Sequence, residues 1–415
     1  MPENHSKTKV LKMPLKIRQA VKSDFEKIHE LTAYCYGLDP AAYRERFARK
    51  WQLTFQENYL VELDRHVVAN ARLIPYEQNI RGVWKKMGGV GMVVSEPSTR
   101  RKGHVRKLMV YLLEKMAAEN YAISCLYPFK DTFYSAFNYT NITANQFIKF
   151  NPKFLKRWEN LPKGYSLKRF SHSEGFVFLK SLHEKAMAKI HGGVKRGENQ
   201  WATQNFPNSL SYVVCFNPNG VAEGILRAIP RGFSKGFDWA ETGQLEIKDF
   251  FSLTPKAKQA LLHFLYLHTD QIIEALLPIN PQESELYPWL HDYYLTTIKT
   301  TNIWQARIIN IQLSLENLPV PCEGETIIRV RDPLLPANDA SYLLVSKNRK
   351  LTVQQTEGQK ADFEFSIEGL TALLYGILSP AELEVFGWLK ILAAQKTTLL
   401  TTWFPRVSPF MSEEF

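Results

Sequence analysis

Cysteine is scarce in this chain, long apolar runs are absent, and charge never gathers into an extended block. The 415 residues hold four cysteines, Cys35, Cys125, Cys215 and Cys322, and none lies close to another. Neither a metal knuckle nor a redox motif is on offer, so a reduced compartment and no bound metal are expected. No stretch approaches the roughly 18 apolar residues of a membrane span. The opening Met1-Pro-Glu-Asn-His-Ser-Lys-Thr-Lys9 is polar and lacks the apolar core of a signal peptide. A cytoplasmic protein that neither crosses nor binds a membrane is the expectation. The formal net charge of +11, from 52 Lys+Arg against 41 Asp+Glu, would suit an anionic ligand or a nucleic acid. Yet no basic run exceeds Arg100-Arg-Lys102 and no nucleic-acid module is visible, so a basic surface with one phosphate site fits better. With 45% hydrophobic and 22% charged residues the chain is an ordinary globular one, longer than one core usually organises.

What is present begins with a loop. Gly88 to Val94 reads as a strand, and Ser95-Glu-Pro-Ser-Thr-Arg100-Arg-Lys-Gly103-His104-Val105 carries it through a proline-marked turn into a helix start. A helix N-terminus has unpaired N–H groups and a partial positive charge. Gly103 lets that backbone approach a bulky anion, and Arg100, Arg101 and Lys102 add full charges, so a pyrophosphate is the natural guest. Leu108, Val110, Leu112 and Met116 follow at helical spacing. A second strand, Tyr121 to Tyr127, leads into Phe133-Tyr134-Ser-Ala-Phe137-Asn-Tyr139.

The pattern predicts three segments. Residues 1–150 alternate strands and helices: Leu15 to Ala20 as a strand, a helix capped near Ser23-Asp-Phe-Glu26, and a hairpin from Tyr59 to Leu73 turning at Leu63-Asp-Arg-His66. Residues 151–298 repeat the theme, with a strand from Gln244 to Leu253 and a helix from Thr254 to His268 that has Pro255 at its first position. That echo lacks Arg-x-x-Gly, and Pro255 removes an N–H a phosphate would use, so a degenerate copy without cofactor is inferred. Residues 299–415 read as strands near Glu325 to Asp332 and Tyr342 to Val345, then helices from Ser366 to Tyr375 and from Glu382 to Leu392. The fold class is α/β (α+β).

The order strand, Arg100-x-x-Gly103-x loop, helix, strand, Phe-Tyr-x-x-Phe-x-Tyr resembles the GNAT acyl-CoA N-acetyltransferases. Their loop commonly ends on Gly or Ala where this chain has Val105, a substitution that resembles the enhanced intracellular survival (Eis) subfamily. Val67 to Pro75, Val330-Arg-Asp-Pro-Leu-Leu-Pro336 and the final Ser408-Pro-Phe-Met-Ser-Glu-Glu-Phe415 are similar to that subfamily too. The resemblance implies tandem GNAT domains followed by a sterol-carrier-protein-like domain, with acetyl-CoA as cosubstrate and a hexameric assembly. It implies that Met92, Val93 and Val94 lend backbone groups to the pantetheine arm and the thioester oxygen, while Arg100, Arg101, Lys102, Gly103, His104 and Val105 hold the pyrophosphate. Tyr134 takes the place of the family's acid and the α-carboxylate of Phe415 that of its base, with Glu414 favouring cationic substrates. The expected acceptors are aminoglycoside-, polyamine- or lysine-like primary amines. A lipid or sterol carrier, or a CoA sensor without turnover, is the alternative.

Overall fold

The computed structural model describes residues 15–204, 210–231, 243–280, 287–290, 295–413 and 415. It divides into two compact units, one of Met1–Ile74, Gly89–Ala118 and Phe415, the other of Pro75–Gly88 and Glu119–Glu414.

The first unit contains β1 (Lys16–Gln19), α1 (Phe25–Tyr36), α2 (Pro40–Thr54), β2 (Asn58–Leu63), the first part of β3 (His66–Ile80), the last part of β4 (Val83–Ser95) and α3 (His104–Ala118), its strands in the order β1-β2-β3-β4. The β2–β3 hairpin closes where the sequence places it, on Asp64 and Arg65 at φ 49° and 66°, a two-residue turn whose twist suits antiparallel strands. The expected cap of α1 differs. Asp24, not Ser23, is the organising residue: its carboxylate accepts from the Val21 N–H at 2.8 Å and from the Arg18 guanidinium at 2.8 and 2.9 Å. Helix α2, which the apolar pattern left unread, starts where Asp39 accepts from the Ala41 N–H at 3.0 Å and Pro40 presets the first turn. Ala20, Ile28, Phe47, Trp51 and Leu60 form one core cluster, and α3 turns its fully buried Leu108, Leu112 and Met116 inward.

The second unit begins with β5 (Ile123–Leu126), α4 (Asp131–Ser135) and β6 (Thr140–Phe150). Next come β7 (Ser166–Phe170), α5 (His172–Met187), β8 (Val194–Lys195), α6 (Glu198–Gln204), β9 (Ser211–Phe216), β10 (Ala222–Arg231), β11 (Gln244–Ser252), α7 (Pro255–Tyr266), β12 (Glu274–Ile279) and β13 (Thr297–Ile308). Their sheet order is β5-β13-β6-β12-β11-β10-β9-β7. From β7 to β12 the succession is strand, helix α5, the short β8 and α6, three antiparallel strands, helix α7, and a last strand parallel to β11. The chain's opening elements run similarly, from β1 through helices α1 and α2, strands β2, β3 and β4 and helix α3 to β5. In this repeat Thr254 caps α7 by accepting from the Ala257 N–H at 3.2 Å, with Pro255 at its first position.

The rest of this unit is a second sheet of β14 (Gly324–Arg331), β15 (Ser341–Lys347), β16 (Lys350–Thr356), β17 (Phe363–Ser366) and β18 (Leu389–Ile391), ordered β16-β15-β14-β17-β18. With it go helices α8 (Ile311–Leu315), α9 (Ile367–Tyr375), α10 (Pro380–Val385) and α11 (Thr397–Trp403). The helix expected from Glu382 to Leu392 is cut short, because Gly387 at φ 71° ends it and Leu389–Ile391 joins β17. The Val330 to Pro336 stretch is structural: Asp332 takes the fully buried Arg307 guanidinium at 2.6 and 2.8 Å and accepts from the Leu334 and Leu335 N–H groups at 3.1 Å.

Candidate active site

Strand β4 loses its regularity at Met92, whose φ of 48° is a left-handed conformation that a non-glycine residue adopts only when its surroundings impose it. The buried Asn70 amide supplies the constraint by donating to the Met92 carbonyl at 2.9 Å. A backbone turned this way departs from the regular ladder, the kind of irregularity that re-aims backbone groups next to a site. Gly91, one residue earlier, faces the chain's last residue. A Cβ built on Gly91 would lie 3.0 Å from the Phe415 carbonyl carbon, 3.1 Å from its Cβ and 3.3 Å from its oxygen. Two separately inferred site elements, the Met92-Val93-Val94 strand and Phe415, thus meet within the first unit.

Past the strand, Thr99 N–H donates to the Glu96 carbonyl at 3.0 Å, and the Arg100 guanidinium reaches Cys35 Sγ at 3.6 Å. Arg101 at φ 63° and Gly103 at φ 82° shape the approach to α3. Nothing lies within 4 Å of where a Gly103 Cβ would sit, so the backbone is open to a bulky guest on that side. Arg100, Arg101 and Lys102 are exposed and Val105 is half-buried. The first turn of α3 offers N–H groups that have no partner inside the helix. His104 opens α3. Its ring is buried, and burial together with the charges of Lys102 and Lys107 holds it below the usual histidine range, hence neutral. Beside the loop a groove of about 680 Å³ is lined by Lys27, Glu30, Tyr34, Asp64, His66 and Glu96, among others.

In the second unit Tyr134 sits in α4, 3% exposed, its ring edge-on to Phe133 at 4.9 Å, Phe129 at 5.9 Å and Tyr139 at 6.3 Å. Tyr139 is a packing residue: its hydroxyl is 2.7 Å from Ser124 Oγ, which donates to the Gly88 carbonyl at 2.8 Å. Glu414 lies outside the described residues. Among the described residues no cluster of three or more His, Cys, Asp or Glu side chains could hold a metal ion, and no helix is long and apolar enough to cross a membrane. Sequence reasoning missed Asn70, whose only signal is a lone amide in the apolar run Val67-Val-Ala-Asn-Ala71. It also missed that Glu413 is buried in a pair with Arg196.

Residues 16–142 match the model of the acetyltransferase (GNAT) domain and residues 311–412 that of the sterol carrier protein domain. The chain therefore carries a GNAT acetyltransferase domain and a C-terminal sterol carrier protein domain, and it is an enzyme of the N-acyltransferase class. Its mixed α/β fold is shared along almost its whole length by solved structures of low sequence identity. A GCN5-related N-acetyltransferase from Anabaena variabilis superposes with a TM-score of 0.84 at 21% identity, over 97% of this chain and 100% of its own. A probable N-acyltransferase from Enterococcus faecalis gives 0.83 at 21% identity with the same coverage. Eis1 from Mycobacterium abscessus gives 0.81 at 16% identity, again over 97% and 100%. The Eis-like architecture suggested by the loop and the terminal residues is thus the one adopted. Among curated proteins no sequence matches the chain.

The family's cosubstrate is acetyl-CoA, and the residues present fit it. The open Gly103 backbone and three exposed cations suit a pyrophosphate, and the backbone break at Met92 suits a pantetheine amide chain.

Proposed function

We propose that the chain transfers acetyl from acetyl-CoA directly to the primary amine of a cationic acceptor of the aminoglycoside, polyamine or lysine kind. Bound acetyl-CoA supplies an activated thioester. The loop Arg100-Arg101-Lys102-Gly103-His104-Val105 holds its pyrophosphate, and the Met92-Val93-Val94 backbone lines the pantetheine arm and donates to the thioester oxygen. Tyr134 gives its proton to the departing thiolate, since a phenol of pKa about 10 is protonated at neutral pH and lies not far above a thiol of about 8.5. The α-carboxylate of Phe415 orients the amine or receives its proton through water. Direct transfer to a carboxylic acid of pKa about 3.5 from an ammonium of about 10.4 would cost on the order of 9 kcal/mol. Glu30, Asp64 and Glu96 along the groove favour a cationic acceptor, and the charge of Glu414 would add to that preference.

One acetyl-CoA binds per chain, in residues 1–150. The 151–298 copy caps its equivalent helix with Thr254 and Pro255, and the 299–415 segment carries Phe415. By resemblance to its subfamily the enzyme assembles as a hexamer in the cytoplasm.

The observation that carries this reading is the meeting of the Phe415 carbonyl group with Gly91, next to the left-handed Met92. Appending a few residues after Phe415 moves the α-carboxylate without changing any side chain. Transfer to a panel of amines, followed by thiol release, is expected to vanish while acetyl-CoA binding persists, with intact mass verifying the last residue of the untagged chain. Normal turnover by the extended enzyme would refute the role of Phe415.

A further inference from the structure

Residues 405–413 form neither helix nor strand, yet they are not a loose tail. The Val407 N–H donates to the Gly376 carbonyl at 3.0 Å and the Phe410 N–H to the His191 carbonyl at 2.9 Å. Met411 is fully buried, with the Gln78 amide 3.8 Å from its sulfur. Glu413 is 4% exposed and faces Arg196, itself 6% exposed. Arg196 Nε donates to Oε2 at 2.9 Å, Nη2 lies 2.7 Å from Oε1, and His183 Nε2 lies 3.4 Å from Oε1. The guanidinium stacks over the Trp201 ring at 4.8 Å, and the His183 ring meets Trp201 edge-on at 5.3 Å.

We propose that Arg196 and Glu413 are a positioning pair whose buried contact fixes the register of the last residues and so sets where the Phe415 carboxylate stands. This rests on the reading that the Phe415 terminal group acts on the acceptor amine. Apolar side chains would fill the same space at least as stably, so the pair's distinctive contribution is selectivity for one arrangement. A slip of one residue would offer Ser412 or Glu414 to Arg196. With Ser412 opposite, a guanidinium stays buried without a countercharge, and with Glu414 opposite, Ser412 would have to take the fully buried place of Met411, both of which burial opposes. Either slip would carry the terminal group by roughly 3.3 Å, far beyond the tolerance of a reacting geometry. The carboxylate stays ionised throughout the working range: burial pushes it up, but the Arg196 charge and the neighbouring His183 outweigh that and hold it at about 2.

The test uses the full-length enzyme with Glu413→Gln and Arg196→Lys. Three quantities are followed: steady-state thiol release with spermidine and a lysine peptide, acetyl-CoA affinity by calorimetry, and the rate at which a carboxypeptidase releases Phe415. Glu413→Gln should lower kcat by about 10-fold or more with acetyl-CoA affinity within about two-fold, because only the terminal group has moved. Phe415 should be released faster by a similar factor. Arg196→Lys keeps the buried charge but loses the two-pronged fork, and should show both effects more weakly. Wild-type kcat and a protected Phe415 in Glu413→Gln would overturn the proposal. If Glu413→Gln does not fold, the same result in Arg196→Lys overturns it. The enzyme extended past Phe415 separates the two ideas. Should it turn over normally, the role of the carboxylate falls, while the carboxypeptidase rates still report whether the pair sets the tail.

Discussion

Gly91 is the sharpest handle on the site, because the structure fixes how much room it leaves. An alanine Cβ there would lie 3.0 Å from the Phe415 carbonyl carbon, whereas ordinary contact begins at 3.4 Å, so alanine must drive the terminal residue back by 3.4 − 3.0 = 0.4 Å. Valine adds two methyl groups about 1.5 Å beyond Cβ and demands a displacement of about 1 Å or more. A misplacement near 1 Å at a reacting centre costs on the order of 10²-fold in rate. The expected series is therefore less than about 10-fold loss of kcat for Gly91→Ala and about 10²-fold for Gly91→Val. Stability should hardly change. Gly91 lies outside the left-handed region, so a Cβ meets no backbone strain. The lower entropy of the unfolded alanine chain, worth about 0.4–1 kcal/mol, offsets part of the crowding. Thiol release at saturating acetyl-CoA and acceptor measures the series, thermal melting checks the fold, and calorimetry checks acetyl-CoA affinity. A Gly91→Val enzyme that folds, binds acetyl-CoA and works at the wild-type rate would show that the position of Phe415 is irrelevant to transfer.

Tyr134→Phe should lower kcat by on the order of 10²-fold while acetyl-CoA affinity stays nearly constant, since the buried ring remains and only the proton donor is lost. Calorimetry alongside thiol release decides it, and wild-type turnover removes Tyr134 from the mechanism. Acid should weaken the fold through His191, whose burial, reinforced by the Arg81 charge, holds it at about 4 against an ordinary 6.5. Above pH 6.5 this neutral, buried ring costs nothing. As pH falls from 6.5 towards 4 the unfolded chain takes up a proton that the folded chain refuses, and up to about 3 kcal/mol is lost. His183 is shifted the same way, by burial and Arg196. Urea midpoints from pH 7.5 to 4.5 measure the slope, which His191→Gln should reduce; an unaltered slope would refute the assignment.

Where chemistry is local, the sequence was enough. The helix start behind Gly103 was legible because a glycine ahead of residues at helical spacing marks such a boundary, and α7 because Thr254-Pro255 is both cap and first turn. The hairpin at Asp64-Arg65 followed from the alternating strands on either side. What failed depends on partners distant in the chain. Nothing about a methionine announces a left-handed backbone, and Met92 holds it through Asn70, 22 residues earlier. Glu413 read as one more acidic residue near the end, because the arginine that buries it is 217 positions away. The α10–β18 boundary was missed because Leu389 and Ile391 suit a helix face as well as a strand, and only pairing with β17 decides between them.

The two repeats finish their third strands with opposite treatments of the helix that follows. Helix α7 is sealed by a threonine hydroxyl and a proline, while α3 begins behind a bare glycine. Glycine in that place is only about a few tenths of a kcal/mol poorer than a side-chain cap, and it leaves the first amides of α3 unclaimed by any side chain. Serine or aspartate at Gly103 would gain the helix little, because a φ of 82° strains any L side chain, and its added atoms would occupy the side on which the backbone is now open. Backbone geometry and an open approach to the first turn of α3 thus ask for the same residue at position 103.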